Sequence, residues 1–429
     1  MAAGHHVAAY RCRTPALLQE VALGHKTLAD YTHIVGKDLT EQIRELAEPL
    51  KGKRVLHVSA TAFGGGVSEI LYTLVPLMRD VGLDAHWHVI FGKEEFYNAT
   101  KLLHNSLQGA EETLSDEQWE IFDEINAMNA EGLQGEWDVV IVHDPQPIGL
   151  RRGALAKGGK WIWRCHIDLS TPNPAPIERL LPMIEEYDAS VWHMEQYVPN
   201  DMGRHREAVK IMPPAIDPLS PKNMAFSPED AAFVCRQFGI DVDRPLITQV
   251  SRFDPWKDPI GVIDAYREVT EQVPEAQLAM VGSMATDDPE GMEYFQKTFE
   301  YAGGDEDIKI LSNLNNVGAI EVNAFQSQSD VCLQKSIREG FGLTVTEALW
   351  KGRPTVAGNV GGIPLQIEDG VSGFLVDSPS ECAQRCLEIL RDPGLGKQLG
   401  REGKEHARRR FLTPRLLRDW LQLFGDIGD

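Results

Sequence analysis

Two cations in one short segment, Arg252 and Lys257 in Val250-Ser-Arg-Phe-Asp-Pro-Trp-Lys-Asp-Pro259, carry the clearest capacity for chemistry in this chain. The segment follows a run that reads as a strand, and open α/β sheets place their ligands beyond the carboxyl ends of parallel strands. Two positive charges there neutralise a diphosphate, both bound and as it becomes a leaving group. Arg does this through bidentate contact and Lys as a point charge, so the two are not interchangeable. Taken alone, the pair reads equally well as two surface cations on a loop.

A second constellation is Glu339-Gly-Phe-Gly-Leu-Thr-Val-Thr-Glu347. Gly340 and Gly342 leave room for a ligand against the backbone at the start of a helix running from Leu343, where unpaired N–H groups suit a phosphate or a sugar hydroxyl. The glycines break the first turn, which puts Glu339 in the loop and Glu347 on the helix. Glu339 then accepts from sugar hydroxyls and Glu347 from those of a ribose. The alternative is two acids favourably placed on a helix dipole.

The first half offers weaker signals. Phe63-Gly-Gly-Gly-Val-Ser-Glu69 lacks both the spaced glycines of a dinucleotide fingerprint and a Gly-Lys-Ser/Thr ending. Gly64, Gly65 and Gly66 present backbone amides to a cleft, or form a plain tight turn. His166 and Asp168 end another strand; no third ligand suggests a metal site, so hydrogen bonding to substrate competes with a structural histidine. Asp144 and Gln146, in Val142-His-Asp-Pro-Gln-Pro147, sit where an acceptor hydroxyl would be met.

These segments need a scaffold that repeats itself. Apolar runs predict strands at Arg54 to Ser59, Ala85 to Ile90, Val139 to His143, Trp161 to Cys165 and Ser190 to Trp192, with a helix from Ser68 to Val81 after the first. The Pro-rich join Met212-Pro-Pro-Ala-Ile-Asp-Pro218 interrupts the pattern, which then restarts. Strands are predicted at Leu246 to Ser251, Leu278 to Val281, Ile308 to Leu311, Val331 to Leu333 and Thr355 to Ala357. Helices are predicted at Ile260 to Val273, Ala319 to Gln328 and Leu343 to Lys351. The fold class is α/β, with two Rossmann-like domains, 1–217 and 218–412, facing each other across a cleft.

At 429 residues the chain is long for one core, and 42% hydrophobic with 25% charged residues describes a folded soluble protein. A formal net charge of −22 argues against nucleic acid. The six cysteines, Cys12, Cys165, Cys235, Cys332, Cys382 and Cys386, are scattered and read as reduced buried thiols. With no secretory pattern, no membrane span and no amphipathic docking helix evident, a cytoplasmic location is expected. The run Arg408-Arg409-Arg410 reads as a solvated helix end.

Taken together, Ser251-Arg252 through Lys257 followed by Glu339-x7-Glu347 resembles the donor-side signature of retaining glycosyltransferases of the GT-B fold. Phe63 to Glu69, Val142 to Pro147, Trp163-Arg-Cys-His-Ile-Asp-Leu-Ser170 and Met212 to Pro218 resemble the trehalose glycosyltransferring synthases and the related trehalose phosphorylases. That resemblance implies transfer of glucose from an NDP-glucose (ADP-, UDP- or GDP-glucose) to free glucose, giving α,α-trehalose reversibly. It implies Arg252 and Lys257 on the diphosphate, supported by the amides of Gly340, Phe341, Gly342 and Leu343. Glu339 would hold the donor glucose and Glu347 the ribose, with the Gly64–Gly66 loop approaching from the other domain. His166 would contact the donor sugar near the reacting carbon, and Asp144 and Gln146 the acceptor. No cofactor or protein-bound metal is implied, Mg²⁺ entering only with the nucleotide. The resemblance also implies a homodimer and a C-terminal helix, within 413–429, that returns to the first domain; Leu416, Leu417, Trp420 and Leu423 have the spacing for it. Three alternatives stay open: a phosphorylase using glucose 1-phosphate, a nucleotide-sugar-binding regulator without turnover, and a different acceptor such as a glucosyl-lipid or, with Arg151 and Arg152 as its contacts, a sugar phosphate.

Overall fold

The computed structural model describes residues 17–154, 158–282 and 289–428. Cys12 lies outside them. The first sheet contains β1 (Leu18–Glu20), β2 (Arg54–Ser59), β3 (Asp84–Ile90), β4 (Val139–His143), β5 (Lys160–Arg164), β6 (Ala189–Trp192) and β7 (Val209–Ile211). Its order is β1-β3-β2-β4-β5-β6-β7. Only the β1–β3 pair is antiparallel. The second sheet contains β8 (Leu246–Val250), β9 (Gln277–Gly282), β10 (Ile308–Ser312), β11 (Val331–Gln334), β12 (Thr355–Gly358) and β13 (Phe374–Val376). It is parallel, in the order β10-β9-β8-β11-β12-β13.

Strands of parallel sheets covered on both faces are mostly apolar runs. β4, Val-Val-Ile-Val-His, is buried at every position, as are β8 and β9. Along β2 the faces separate: Val55 joins one core cluster, and Leu56 and Val58 join the other. The predicted strands are present with small shifts at their ends. The helix predicted at Ser68 to Val81 is Gly66–Asp80, and that at Ile260 to Val273 is Pro259–Thr270. The structure adds the three-residue strands β1, β7 and β13, each the outermost strand at an edge of its sheet.

Helix Pro393–Arg410 carries Gly394, Gly396, Gly400 and Gly403, a composition that disfavours helix. Packing decides against propensity here. A Cβ on Gly400 would lie 2.1 Å from the Gly352 carbonyl oxygen, so the close approach of this helix requires glycine. Arg408 and Arg409, in its last turn, pair with Glu405. The five described cysteines are buried free thiols. Among the described residues no helix is long and apolar enough to cross a membrane.

The chain passes between the two sheets twice, and the passages are bonded to each other. The Ile216 N–H donates to the Phe411 carbonyl at 2.9 Å and the Thr413 N–H to the Ile216 carbonyl at 3.0 Å. Arg415 donates to the carbonyls of Pro213 and Pro214 at 2.8 and 3.0 Å. Helix Thr413–Gly428 then buries Leu416, Leu417, Trp420, Leu423 and Phe424 in the core that contains Val55 and Leu71 of the first domain. Beside these passages, the buried carboxylate of Asp217 accepts from Lys26 Nζ at 2.8 Å, Tyr31 OH at 2.9 Å, Thr73 Oγ1 at 2.9 Å and Leu219 N at 2.9 Å. Asp217→Ala strands four donors, three of them side-chain groups, and is expected to lower the free energy of unfolding by about 2–4 kcal/mol. Urea unfolding followed by tryptophan fluorescence checks this; an unchanged midpoint would contradict it.

Candidate active site

In each sheet the order reverses between two neighbouring strands, β2 and β4 in the first and β8 and β11 in the second. Loops leaving such a pair diverge and open a crevice. The segments singled out in the sequence leave these four strands and the neighbouring β5.

After β8, Asp254 caps a single turn, Pro255–Lys257, by accepting from Trp256 N at 3.0 Å and Lys257 N at 3.2 Å. Gln249 on β8 donates to the Lys257 carbonyl at 3.0 Å. With its backbone fixed from both sides, Lys257 extends to Glu339 beyond β11, Nζ to Oε2 at 2.6 Å. The two side chains are 14% and 10% exposed. Ser336 Oγ and Gln334 Nε2 also donate to Oε2, at 3.3 and 3.4 Å. All these contacts fall on one oxygen of Glu339. Arg252 is 60% exposed, with Nη2 3.5 Å from Asp254. Its charge reaches His104 in helix Glu94–Leu107 of the first domain, where burial, then Arg252 and Lys101, depress the imidazole to about 4.

The glycine-flanked loop after Glu339 is clamped between the domains. The Tyr197 hydroxyl, from the first domain, lies 2.7 Å from the Gly340 carbonyl oxygen and 3.0 Å from that of Glu339. Gly342, at φ +80°, turns the chain into helix Leu343–Trp350. The Phe341 ring is buried, 5.7 Å from the His193 ring and 5.6 Å from the Phe411 ring. Phe341 can therefore serve a ligand through its backbone, not its ring. The Gly64–Gly66 loop faces Leu343 closely enough that a Cβ on Gly66 would lie 2.8 Å from Leu343 Cδ1. Phe63, just before it, is exposed.

Glu347 lies on the helix, as expected, 1% exposed. Its only charged neighbour within salt-bridge distance among the described residues is Lys222, Nζ to Oε1 at 3.5 Å. Neither carboxylate oxygen has a hydrogen-bond partner there. Burial raises its pKa, with Lys222 acting in the opposite direction. Lys222 itself donates to Glu69 of helix Gly66–Asp80 at 2.6 Å. A cavity of about 280 Å³ opens beside this group, lined by Glu69, Lys222, Asn223, Ala319 and Leu343 among others.

On the first domain's side, Asp144 adopts φ 67°, and its Oδ1 accepts from the His166 N–H at 2.8 Å. Burial pushes its carboxyl up to about 7, offset in part by that N–H and by Arg164. His166 Nε2 lies 2.9 Å from His143 Nδ1, and His143 Nε2 lies 3.0 Å from His57 Nδ1. This line of rings, buried at His57 and His143, fixes the orientation of the partly buried His166. Burial depresses all three, His57 to about 3 and the others well below the usual histidine value. Asp168 does not join His166. It accepts from Ser170 N at 2.8 Å and lies 3.7 Å from Arg338 of the second domain. Gln146 holds its neighbourhood through its carbonyl, which accepts from Asn126 at 3.1 Å.

Tyr197, Lys222, Arg338, His57 and His143 were not singled out by spacing. Only the histidines left a usable signal, since His143 lies two positions beyond Ile141, the partner of His57 on the adjacent strand, and so on the same face of the sheet.

Residues 57–199 match the family model for the N-terminal domain of trehalose synthase, and residues 233–406 match that for group 1 glycosyl transferases. A trehalose synthase of Rubrobacter xylanophilus is 57% identical over 416 residues, covering 96% of this chain and 99% of that protein. One from Thermococcus litoralis is 50% identical, covering 93% and 97%. A trehalose phosphorylase of Pleurotus pulmonarius is 27% identical across 92% of this chain but only 60% of its own length. Among solved structures, a UDP-forming α,α-trehalose-phosphate synthase from Burkholderia xenovorans, in complex with glucose-6-phosphate, shares the fold with a TM-score of 0.70. It is 14% identical and covers 88% of this chain and 100% of that one. With two facing Rossmann-like domains, the site at their strand ends and these matches along nearly its whole length, the chain belongs to the trehalose synthase family of GT-B glycosyltransferases.

Proposed function

We propose that this protein transfers glucose from a nucleoside-diphosphate glucose to the anomeric hydroxyl of free glucose, with retention, forming α,α-trehalose and NDP reversibly. The observation that carries this reading is Glu347, a buried carboxylate with no hydrogen bond to either oxygen, whose ion-pair partner Lys222, at 3.5 Å, lines a cavity. The two hydroxyls of a ribose satisfy those oxygens. Glucose 1-phosphate brings no ribose and would leave them unsatisfied, which favours the synthase over the phosphorylase.

In this reading the diphosphate lies between Arg252 and Lys257, with the Gly340–Leu343 backbone and the Gly64–Gly66 loop on either side. Glu339 accepts from donor-sugar hydroxyls while His166 faces the region of the reacting carbon. Asp144 and Gln146 meet the acceptor. The bond from C1 to the diphosphate oxygen breaks as the acceptor oxygen bonds to C1 on the same face, and the acceptor proton passes to the departing diphosphate. No protein base is required. Charge neutralisation is what the enzyme supplies, where charge grows on the leaving group. Magnesium enters only as a companion of the nucleotide. The cytoplasm, where nucleotide sugars are made, and a homodimer fit this reading.

Arg252→Ala and Lys257→Ala are each expected to slow turnover at least ~100-fold, about 3 kcal/mol of transition-state stabilisation. Near-wild-type kcat in both variants, with melting temperatures unchanged, would place the diphosphate elsewhere. The ribose assignment is tested by comparing NDP-glucose with its 2′-deoxyribose analogue. The analogue should cost the wild type ~10-fold or more in kcat/KM, as expected for a hydrogen bond to a charged group. In Glu347→Gln the same comparison should shrink to a few-fold. An equal loss in both proteins would remove Glu347 from the ribose site.

A further inference from the structure

Beyond the cleft, Glu20, His86 and His88 stand together on the edge of the first sheet. Glu20 on β1 pairs directly with His88 on β3, and His86 lies two residues before His88 on the same face of the sheet. Each of the three offers one ligand atom, and these atoms all lie within 4.8 Å of one another. We infer that Glu20, His86 and His88 form a site for a divalent transition-metal ion, Zn²⁺ being the species best matched to two imidazoles and a carboxylate.

The first argument is preorganisation. Strand register sets the spacing, and Trp137 stands edge to face against both rings, 5.3 Å from His86 and 6.1 Å from His88. Arg54 lies over Trp137 at 4.4 Å, so the wall is itself held. The second is the outer shell. His86 Nδ1 lies 2.7 Å from Glu20 Oε1, while its Nε2 lies 2.9 Å from Asp84 Oδ1. Both partners are carboxylates, so the ring serves both only by donating at each nitrogen. An ion at Nδ1 replaces that proton and leaves the Asp84 bond intact, the carboxylate–histidine–metal pattern that orients ligands and raises their basicity. The third is an unsatisfied nitrogen: His88 Nδ1 is buried without a hydrogen-bond partner among the described residues.

The donor set selects the ion. Imidazole suits Zn²⁺ and its neighbours, whereas Mg²⁺ and Ca²⁺ prefer all-oxygen shells. Three protein ligands leave a fourth position for water. Arg79, 3.9 Å from Glu20, and Arg54, 3.3 Å from Asp84, compete for the carboxylates and temper the affinity. The consequence is structural. β1 is a three-residue edge strand, and an ion shared between Glu20 and the β3 histidines ties it to the sheet.

The test uses the full chain without an added tag, stripped with chelator and titrated with Co²⁺ and then Zn²⁺. One equivalent of Co²⁺ should bind with the visible absorption of a four-coordinate N/O site, and Zn²⁺ should displace it and raise the melting temperature. His86→Ala and His88→Ala should each weaken binding by at least ~10-fold, and Asp84→Asn by ~10-fold, with glycosyl transfer unchanged in all three. Absence of saturable binding in the folded wild type would overturn the site. So would binding that survives in His88→Ala with the same affinity and spectrum.

Discussion

The ion pair between Lys257 and Glu339 is the constraint around which the cleft is organised. The two side chains come from loops leaving adjacent parallel strands, and each is nearly buried. Two charges taken out of water at 2.6 Å are tolerable only because each is the other's partner and further donors converge on Glu339. Such a pair is an expensive way to stabilise a fold and an effective way to keep opposite charges ready. In the proposed reaction a diphosphate arriving beside Lys257 and a sugar hydroxyl arriving beside Glu339 would substitute for the pair without leaving either charge unsatisfied. Arg252, 60% exposed on the same loop, would supply the second positive charge in that reaction.

The other domain takes part in holding this arrangement. Tyr197 grips the carbonyls of Glu339 and Gly340, and Arg338 lies against Asp168. A movement of one domain against the other therefore shifts the loop that carries Glu339. The Lys222 ammonium adds a second link, standing between Glu69 of the first domain and Glu347 of the second. The two passages of the chain between the domains are paired with each other at Ile216 and Leu412.

Most of the sheet architecture was legible because strands buried on both faces read as short, mostly apolar runs, as in Val139–His143 with its four successive branched residues. The turn into the helix at Leu343 was legible because Gly342 occupies a left-handed position. What escaped has physical causes. β1, β7 and β13 are too short to show a period. Helix Pro393–Arg410 is glycine-rich because a neighbouring backbone touches it, a contact invisible in one dimension. Tyr197 and Lys222 act on partners well over a hundred positions away, so no local spacing marks them. Phe341 lies within a motif that points to ligand binding, yet its ring belongs to the packing with His193 and Phe411.

The central claim, that glucose is moved from a nucleotide donor and its configuration kept, is tested most directly by product analysis. The purified protein is given glucose labelled at C1 with ¹³C together with ADP-, UDP- or GDP-glucose, and in parallel with glucose 1-phosphate. Carbon NMR reads the anomeric linkage of the disaccharide formed. The predicted result is α,α-trehalose, labelled in one ring, from at least one nucleotide donor and none from glucose 1-phosphate. Trehalose from glucose 1-phosphate with release of phosphate, or a β-linked product, would contradict it.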